Sequence, residues 1–318
     1  MLPRRLTPHG LPFSGMEVLS RIKSGATEET SLVESFMLES LDRIQTVCER
    51  AVTVGQYELV LAGAPHGLDD QVGPMPFTAN HYHESSGWVN RSSSGNERYL
   101  SIDTPAFQLE MPPVMPNGIT MPYFDADNAA QTFTDFALQI DEPALIHCTP
   151  GILWPSLYAR RDALKIQFWA GETDELSWGG TDTFTTLSGY PWANGDRFQL
   201  RASGNQNQYL GLKASVPTGF TNLAQYYVVE ASGSTFKLEA TVGGGAITGT
   251  APAAGFAIDK LYSGSLNGNT STGVMKIAID SFNSRCGEGE CSVSKNDDSF
   301  MVDPILRRMI WRSPMYSS

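Results

Sequence analysis

The chain has 318 residues, with 34 acidic against 22 basic side chains, a formal net charge of −12, 18% charged residues, 30 glycines and 19 prolines. Acidity without any Lys/Arg block beyond pairs such as Arg4-Arg5, Arg160-Arg161 and Arg307-Arg308 argues against a nucleic-acid partner. Cys48, Cys148, Cys286 and Cys291 are too few and scattered for a disulfide framework, and neither the start MLPRRLTPHGLPF nor the apolar run around Leu59 to Ala64 encodes a leader or a membrane span.

Residues 1–56 read as an N-terminal helical region. Leu32, Val33, Phe36, Met37, Leu41, Ile44, Val47, Cys48 and Ala51 recur at three- and four-residue steps, with Glu34, Glu39, Asp42, Arg43 and Glu49 opposite, which predicts an amphipathic helix. Thr30 or Ser31 caps its start, and Gly55 falls where the pattern fails. A shorter helical turn is expected over Met16 to Lys23. The apolar stripe packs on the chain's own sheet in this reading.

From Tyr57 to Trp169 the pattern switches to short β segments: Tyr57 to Leu61, Arg98 to Ile102, Phe107 to Glu110 and Leu164 to Trp169. Phe133 to Ile140 fits a strand or a helix. The proline-dense Met111 to Gly118 lacks ladder donors and reads as an extended surface loop.

Between Thr181 and Ile258, Asp182 to Thr186, Arg197 to Ala202, Gln225 to Ala231 and Thr235 to Glu239 are strand-like runs separated by Asn194-Gly195-Asp196, Pro217-Thr218-Gly219 and the hairpin-length link Ala231 to Ser234. Phe198 and Leu200 share one face of their run, and Phe236 and Leu238 share one face of theirs. Val274 to Asp280 alternates like Leu164 to Trp169, and the two are expected to pair, making the intervening module an insertion. The chain is therefore read as mainly β with an N-terminal amphipathic helix. A β-sandwich-like domain of residues 57–175 plus 262–302 carries a small inserted all-β module, 176–261. Residues 303–318 follow as a docking tail, in which Ile305, Leu306, Met309 and Ile310 form the apolar face of a short helix.

The order Asp182-Thr183-Phe184-Thr185, Asn194-Gly195-Asp196, Pro217-x-Gly219, Tyr226-Tyr227-Val228-Val229 and Ser234-Thr235-Phe236-Lys237-Leu238, followed by a Gly/Ala-rich tail, resembles a small β module of tailed-bacteriophage structural proteins, particularly tail-associated and fibre-like ones. The YYVV and TFKL blocks are its specific part, and residues 204–212 make a longer path than the module's usual pattern. The resemblance implies a virion component that builds particles, and it implies no catalytic residue; no cofactor is expected.

Motifs with chemical potential have plainer readings. His81-Tyr82-His83-Glu84 could place two imidazoles on one face of a strand, with His66, Asp69, Asp70 or His147 as further ligands, but nothing local completes the site. Cys286 and Cys291 are too widely spaced for a zinc clip and read as free thiols or a hairpin-closing disulfide. The acidic pairs Asp125/Asp127, Glu172/Asp174 and Asp297/Asp298 sit in turn-like settings where Asp bonds locally. There is no GxSxG elbow and no Walker A sequence. Trp154, Trp169, Trp178, Tyr190 and Trp192 could line a sugar-binding face or anchor an interface.

The sequence thus predicts a non-enzymatic virion protein of a tailed phage, tail-, baseplate- or neck-associated and homo-oligomeric, with other virion proteins as partners. Its candidate interaction surface comprises Trp178, Tyr190, Trp192, Ile305, Leu306, Met309 and Ile310. The rival readings are a carbohydrate-binding receptor-recognition or head-fibre protein and, behind it, a glycan hydrolase subunit.

Overall fold

The structure is a computed structural model that describes residues 3–15, 17–18, 30–62, 106–140, 144–203, 216–250, 260–264, 274 and 277–280. The segments 16–23 and 98–102, the histidines at 66, 81 and 83 and the cysteines at 286 and 291 lie wholly or mostly outside the described residues, as does the tail from 281. The chain divides into two compact units, Met1–Thr7 with Gln56–Ala170, and Pro8–Gly55 with Gly171–Ser318.

The first unit carries two antiparallel sheets. One has the order β1-β2-β8-β4-β5, from Arg4–Arg5 (β1), Gly55–Leu61 (β2), Leu164–Ala170 (β8), Met121–Phe124 (β4) and Ala130–Phe133 (β5). The other has the order β3-β7-β6, from Ala106–Leu109, Ala144–Cys148 and Phe136–Gln139 respectively. Strict alternation along β2 buries Tyr57, Leu59 and Leu61. Tyr57 stacks on Phe168 of β8 at 5.8 Å between ring centroids. The sheets share an aromatic contact, because Trp154 meets Phe107 of one at 4.9 Å and Phe133 of the other at 5.3 Å.

The ambiguous segment 133–140 resolves as strand: β5 ends at Phe133 and β6 starts at Phe136. The proline-dense loop forms no extended strand, yet it is not purely surface. Met111 and Val114 are buried, Val114 bridges Ala170, and Met115 N donates to Trp169 O at 2.8 Å.

In the second unit, helix α1 spans Thr30–Cys48. Val33, Phe36, Met37, Leu41 and Ile44 face a core completed by Phe13, Val18, Val52, Val274, Ile277 and Ala278. Leu32, expected in the apolar stripe, lies outside it and is 37% exposed. The helix stops at Cys48, with Glu49 at φ 52°, and Gly55 instead opens β2. Gly15 lets the entering chain touch the helix start, since a Cβ there would lie 2.8 Å from Thr30 O.

Residues 274 and 277–280 are helical, so the expected strand over Val274 to Asp280 is corrected. Its apolar positions 274, 277 and 278 fit a helical face, and that face supplies Val274, Ile277 and Ala278 to the helix core. The expected pairing with Leu164 to Trp169 goes with it, because β8 lies between β2 and β4.

The remaining strands close into a six-stranded antiparallel barrel, β10-β13-β12-β11-β14-β9. They are Asp174–Trp178 (β9), Phe184–Thr186 (β10), Arg197–Ser203 (β11), Gln225–Ser232 (β12), Thr235–Glu239 (β13) and Lys260–Ser263 (β14). Leu176, Phe184, Phe198, Leu200, Tyr226, Val228, Phe236, Leu238 and Leu261 form its interior. The β12–β13 hairpin is tighter than the expected Ala231 to Ser234 link: only Gly233, at φ 61°, and Ser234 separate the strands.

Candidate functional site

The chemically distinctive region of the chain is this barrel and the polar groups at the start of β9. Phe236 is its hub, with ring centroids 5.1 Å from Phe198, 5.7 Å from Trp192 and 6.0 Å from Phe184. Phe220 continues the cluster, 5.3 Å from Phe184 and 5.6 Å from Tyr226, whose hydroxyl accepts a hydrogen bond from Thr221 N. Small barrels are filled by their own side chains, and these rings occupy the interior.

Of the expected interaction residues, Tyr190 is 0% exposed and meets Trp192 edge-on at 4.9 Å. Trp178 and Trp192 are half-buried and pack against the barrel core. Among the described residues, the buried Nε1 atoms of both indoles have no hydrogen-bond partner. Residues 305, 306, 309 and 310 lie outside the described residues. Among the described residues of this region, Leu187, Leu223 and Val242 are exposed apolar side chains.

The segment carrying Tyr190 and Trp192 is held by a buried carboxylate. Asp174, 4% exposed, accepts from Ser188 N at 3.3 Å and from Ser188 Oγ at 2.5 Å, and Ser188 Oγ accepts from Tyr190 N at 3.1 Å. Asp174 N in turn donates to Ser263 Oγ, and Thr173 Oγ1 donates to Ser263 O. Burial pushes the Asp174 carboxyl up to about 7; the Ser188 hydrogen bonds pull against that, and the charge of adjacent Glu175 adds to it. Glu172, the other half of that acidic pair, is committed to Arg50 at 2.9 Å, and both side chains are almost wholly enclosed.

Arg201 of β11 meets the segment from Pro12 to Glu17 and Tyr262 of β14. Its guanidinium is 3.6 Å from Glu17, donates to Pro12 O, and lies over the rings of Tyr262 and Phe13 at 4.5 and 5.2 Å. Loss of hydration lowers its pKa, opposed by Glu17. Lys260 of β14 approaches both Glu175 of β9 at 3.2 Å and Glu34 of α1 at 3.7 Å. On the outer face, Lys237 joins Asp182 at 3.0 Å and Glu230 at 2.8 Å. Sequence reasoning missed these contacts because every partner except Glu230 is remote in the chain, and no local pattern marks them.

The other candidate groups are dispersed. Asp125 accepts from Asp127 N, Ala129 N and Gln131 Nε2, a local turn network whose hydrogen bonds, the one from Ala129 first, hold its carboxyl below the ordinary range. His147 sits on β7, with Nδ1 3.2 Å from Cys148 O. The buried Cys148 thiol is pushed up to about 11 by desolvation, then by Asp135. Among the described residues, no group of three or more His, Cys, Asp or Glu is placed to hold a metal ion, and no helix is long and apolar enough to cross a membrane.

No family model matches the chain, and no curated protein does. Among solved structures, a chain in the neck of an empty gene transfer agent particle computed with C6 symmetry aligns at 14% identity and a TM-score of 0.36, over 54% of this chain and 71% of its own. A chain in the virion of a native gene transfer agent particle aligns at 14% and 0.35, over 54% and 72%. A third, in the neck of a native particle computed with C12 symmetry, aligns at 13% and 0.33, over 54% and 70%. Scores of this size establish neither a shared fold nor a shared role.

Proposed function

We propose that this protein is a non-enzymatic structural component of a tailed-phage virion, associated with the tail, baseplate or neck, and assembling as a homo-oligomer with other virion proteins. The observation that carries the reading is the run of blocks from Asp182 to Leu238 that resembles the phage β module, four of whose segments form β10, β11, β12 and β13 of one closed barrel. A barrel packed with its own aromatic rings offers a rigid body to build with. Among the described residues of the acidic pairs, three carboxylates support the same side, since Glu172 is tied up by Arg50, Asp174 by Ser188, and Asp125 by its own turn.

The glycan-binding reading needs aromatic planes open to a sugar face. Tyr190 is enclosed and Trp192 spends its ring on Tyr190, Phe198 and Phe236, so the structural reading is preferred.

The test is the solution mass of the purified chain by light scattering, followed by rebinding to particles or tails stripped of it. A defined multimer that rejoins the particles is expected. A stable monomer that ignores particles and binds or cleaves glycans overturns the proposal.

A further inference from the structure

In the six-stranded ring β10 and β11 stand opposite each other, with β13 and β12 between them on one side and β9 and β14 on the other. The segment 187–196 that joins them therefore crosses one end of the barrel. It carries Tyr190 and Trp192, and the Trp192 ring meets Tyr190, Phe198 and Phe236. Backbone bonds tie the segment at both ends: Leu187 N donates to Glu175 O at 2.9 Å, and Gly195 N donates to Val228 O at 2.8 Å. Between these ties Asp174 holds Ser188 through both carboxyl oxygens, and Ser188 Oγ in turn accepts from Tyr190 N.

The groups around that carboxyl give it no counter-charge. Glu175, next on its strand, is engaged by Lys260 of β14 at 3.2 Å, and Glu172 just before the strand by Arg50 at 2.9 Å. β14 places Ser263, whose Oγ accepts from Asp174 N, with Tyr262 beside it, and the crossing segment places Ser188 and Tyr190. Among the described residues, the charge that acts on Asp174 is that of Glu175, which has the same sign. An ionised carboxylate enclosed without a cation is costly, and the Ser188 bonds offset only part of that cost. Water reaches it when the crossing segment lifts.

We infer that Asp174 is a proton-operated latch on the crossing segment: protonated, it keeps the barrel end shut, and ionised, it favours a local opening in which Ser188 leaves and water enters. The opening uncovers Tyr190 and Trp192, so the interaction surface expected there from the sequence is a conditional one. The working range follows from the two environments of the carboxyl, which titrates near 7 when shut in and near its ordinary 3.8 when hydrated. Between those values the open form has released a proton that the closed form keeps. The closed form has its full advantage below about 3.8, loses about tenfold of it per pH unit above that, and stops losing above about 7.

The experiment is hydrogen–deuterium exchange on the full chain across this range and above it, read as protection factors so that the intrinsic pH dependence of exchange is removed. The amides of Ser188 and Tyr190 are expected to be less protected at every pH than those of Val229 and Lys237, which are paired between β12 and β13. Their protection should fall by about tenfold per pH unit up to about 7 and level off beyond it. Asp174→Asn, neutral throughout, is expected to flatten that profile, and Ser188→Ala to lower the protection of Tyr190 while leaving that of Val229 unchanged. The inference is overturned if the segment is as protected as the β12–β13 pair, if its protection does not fall over the acid range, or if Asp174→Asn shows the same fall. Should that variant fail to fold, the Asp174 carboxyl is titrated in the wild type by carbon NMR. A midpoint that coincides with the levelling of the exchange profile supports the latch, and one that does not sinks it.

Discussion

Arg50 Nε lies 2.9 Å from Glu172 Oε1, with side-chain exposures of 4% and 3%. The pair joins the chain just after α1 to the chain just before β9. Removing one member leaves a charge with no water to turn to, so Glu172→Gln or Arg50→Met is expected to lower unfolding stability by about 3–5 kcal/mol. The double change Arg50→Met with Glu172→Leu is expected to recover most of that loss. Urea unfolding of the four chains checks it, and additive losses in the double variant contradict it.

Asp174 gives the fold a pH dependence of defined sign. Its carboxyl titrates near 7 when folded, against an ordinary value of 3.8. Between those values the folded chain holds a proton that the unfolded chain has released. Stability from this group is therefore fully present below about 3.8 and is lost as pH rises through about 7. Asp174→Asn keeps a neutral side chain throughout. The melting temperature of the wild type, measured against this variant, should fall between pH 4 and pH 8; a constant difference contradicts the assignment.

Gly171 is wedged on the backbone that follows α1. At φ 144°, a Cβ would lie 2.4 Å from Val54 N and Cα and 2.5 Å from Thr53 C. Gly171→Ala has no flexible side chain to push aside, and a loss of about 2–3 kcal/mol is expected from clash and backbone strain. Gly189→Ala is a control for the backbone term: φ is also positive, 84°, but no atom lies within 4 Å of the Cβ position. It should cost clearly less in the same denaturation experiment.

Phe236 touches three other rings and is 1% exposed. Phe236→Ala is expected to cost about 3–5 kcal/mol. Leu187→Ser, at a side chain 61% exposed, should stay within about 0.5 kcal/mol. Equal effects in thermal unfolding would mean that the ring cluster is not the barrel's core.

Four barrel strands, β10 to β13, were legible because one face of each is apolar and the turns between them carry Gly, Asn or Pro. Phe198/Leu200 and Phe236/Leu238 are the inward pairs that alternation picks out. Helix α1 was legible for the same reason, save for Leu32 at its rim. The segment 274–280 was misread because Val274, Ile277 and Ala278 satisfy a three-and-four spacing while neighbouring apolar residues also satisfy alternation; packing against α1 decides between them. β9 and β14 are strands of five and four residues, and their pairing is set by residues far away in the chain. Asp174 looked like an ordinary turn acid because its partner, Ser188, lies fourteen residues on and becomes a neighbour only when β9 and β10 pair.

The barrel is closed by its last strand. β14 inserts between β9 and β11, pairing Leu261 with Leu176 and Tyr262 with Arg201, long after the other five strands have been made. A nascent chain that has emerged only as far as β13 holds Phe198, Leu200 and Phe236 in an open sheet whose two lateral edges, β9 and β11, wait for the same partner. Loop-closure entropy puts that step late, and during synthesis those unpaired strands are the ones most exposed to misassociation. The interval before Lys260 to Ser263 arrives is therefore the one in which the barrel's apolar interior stands open.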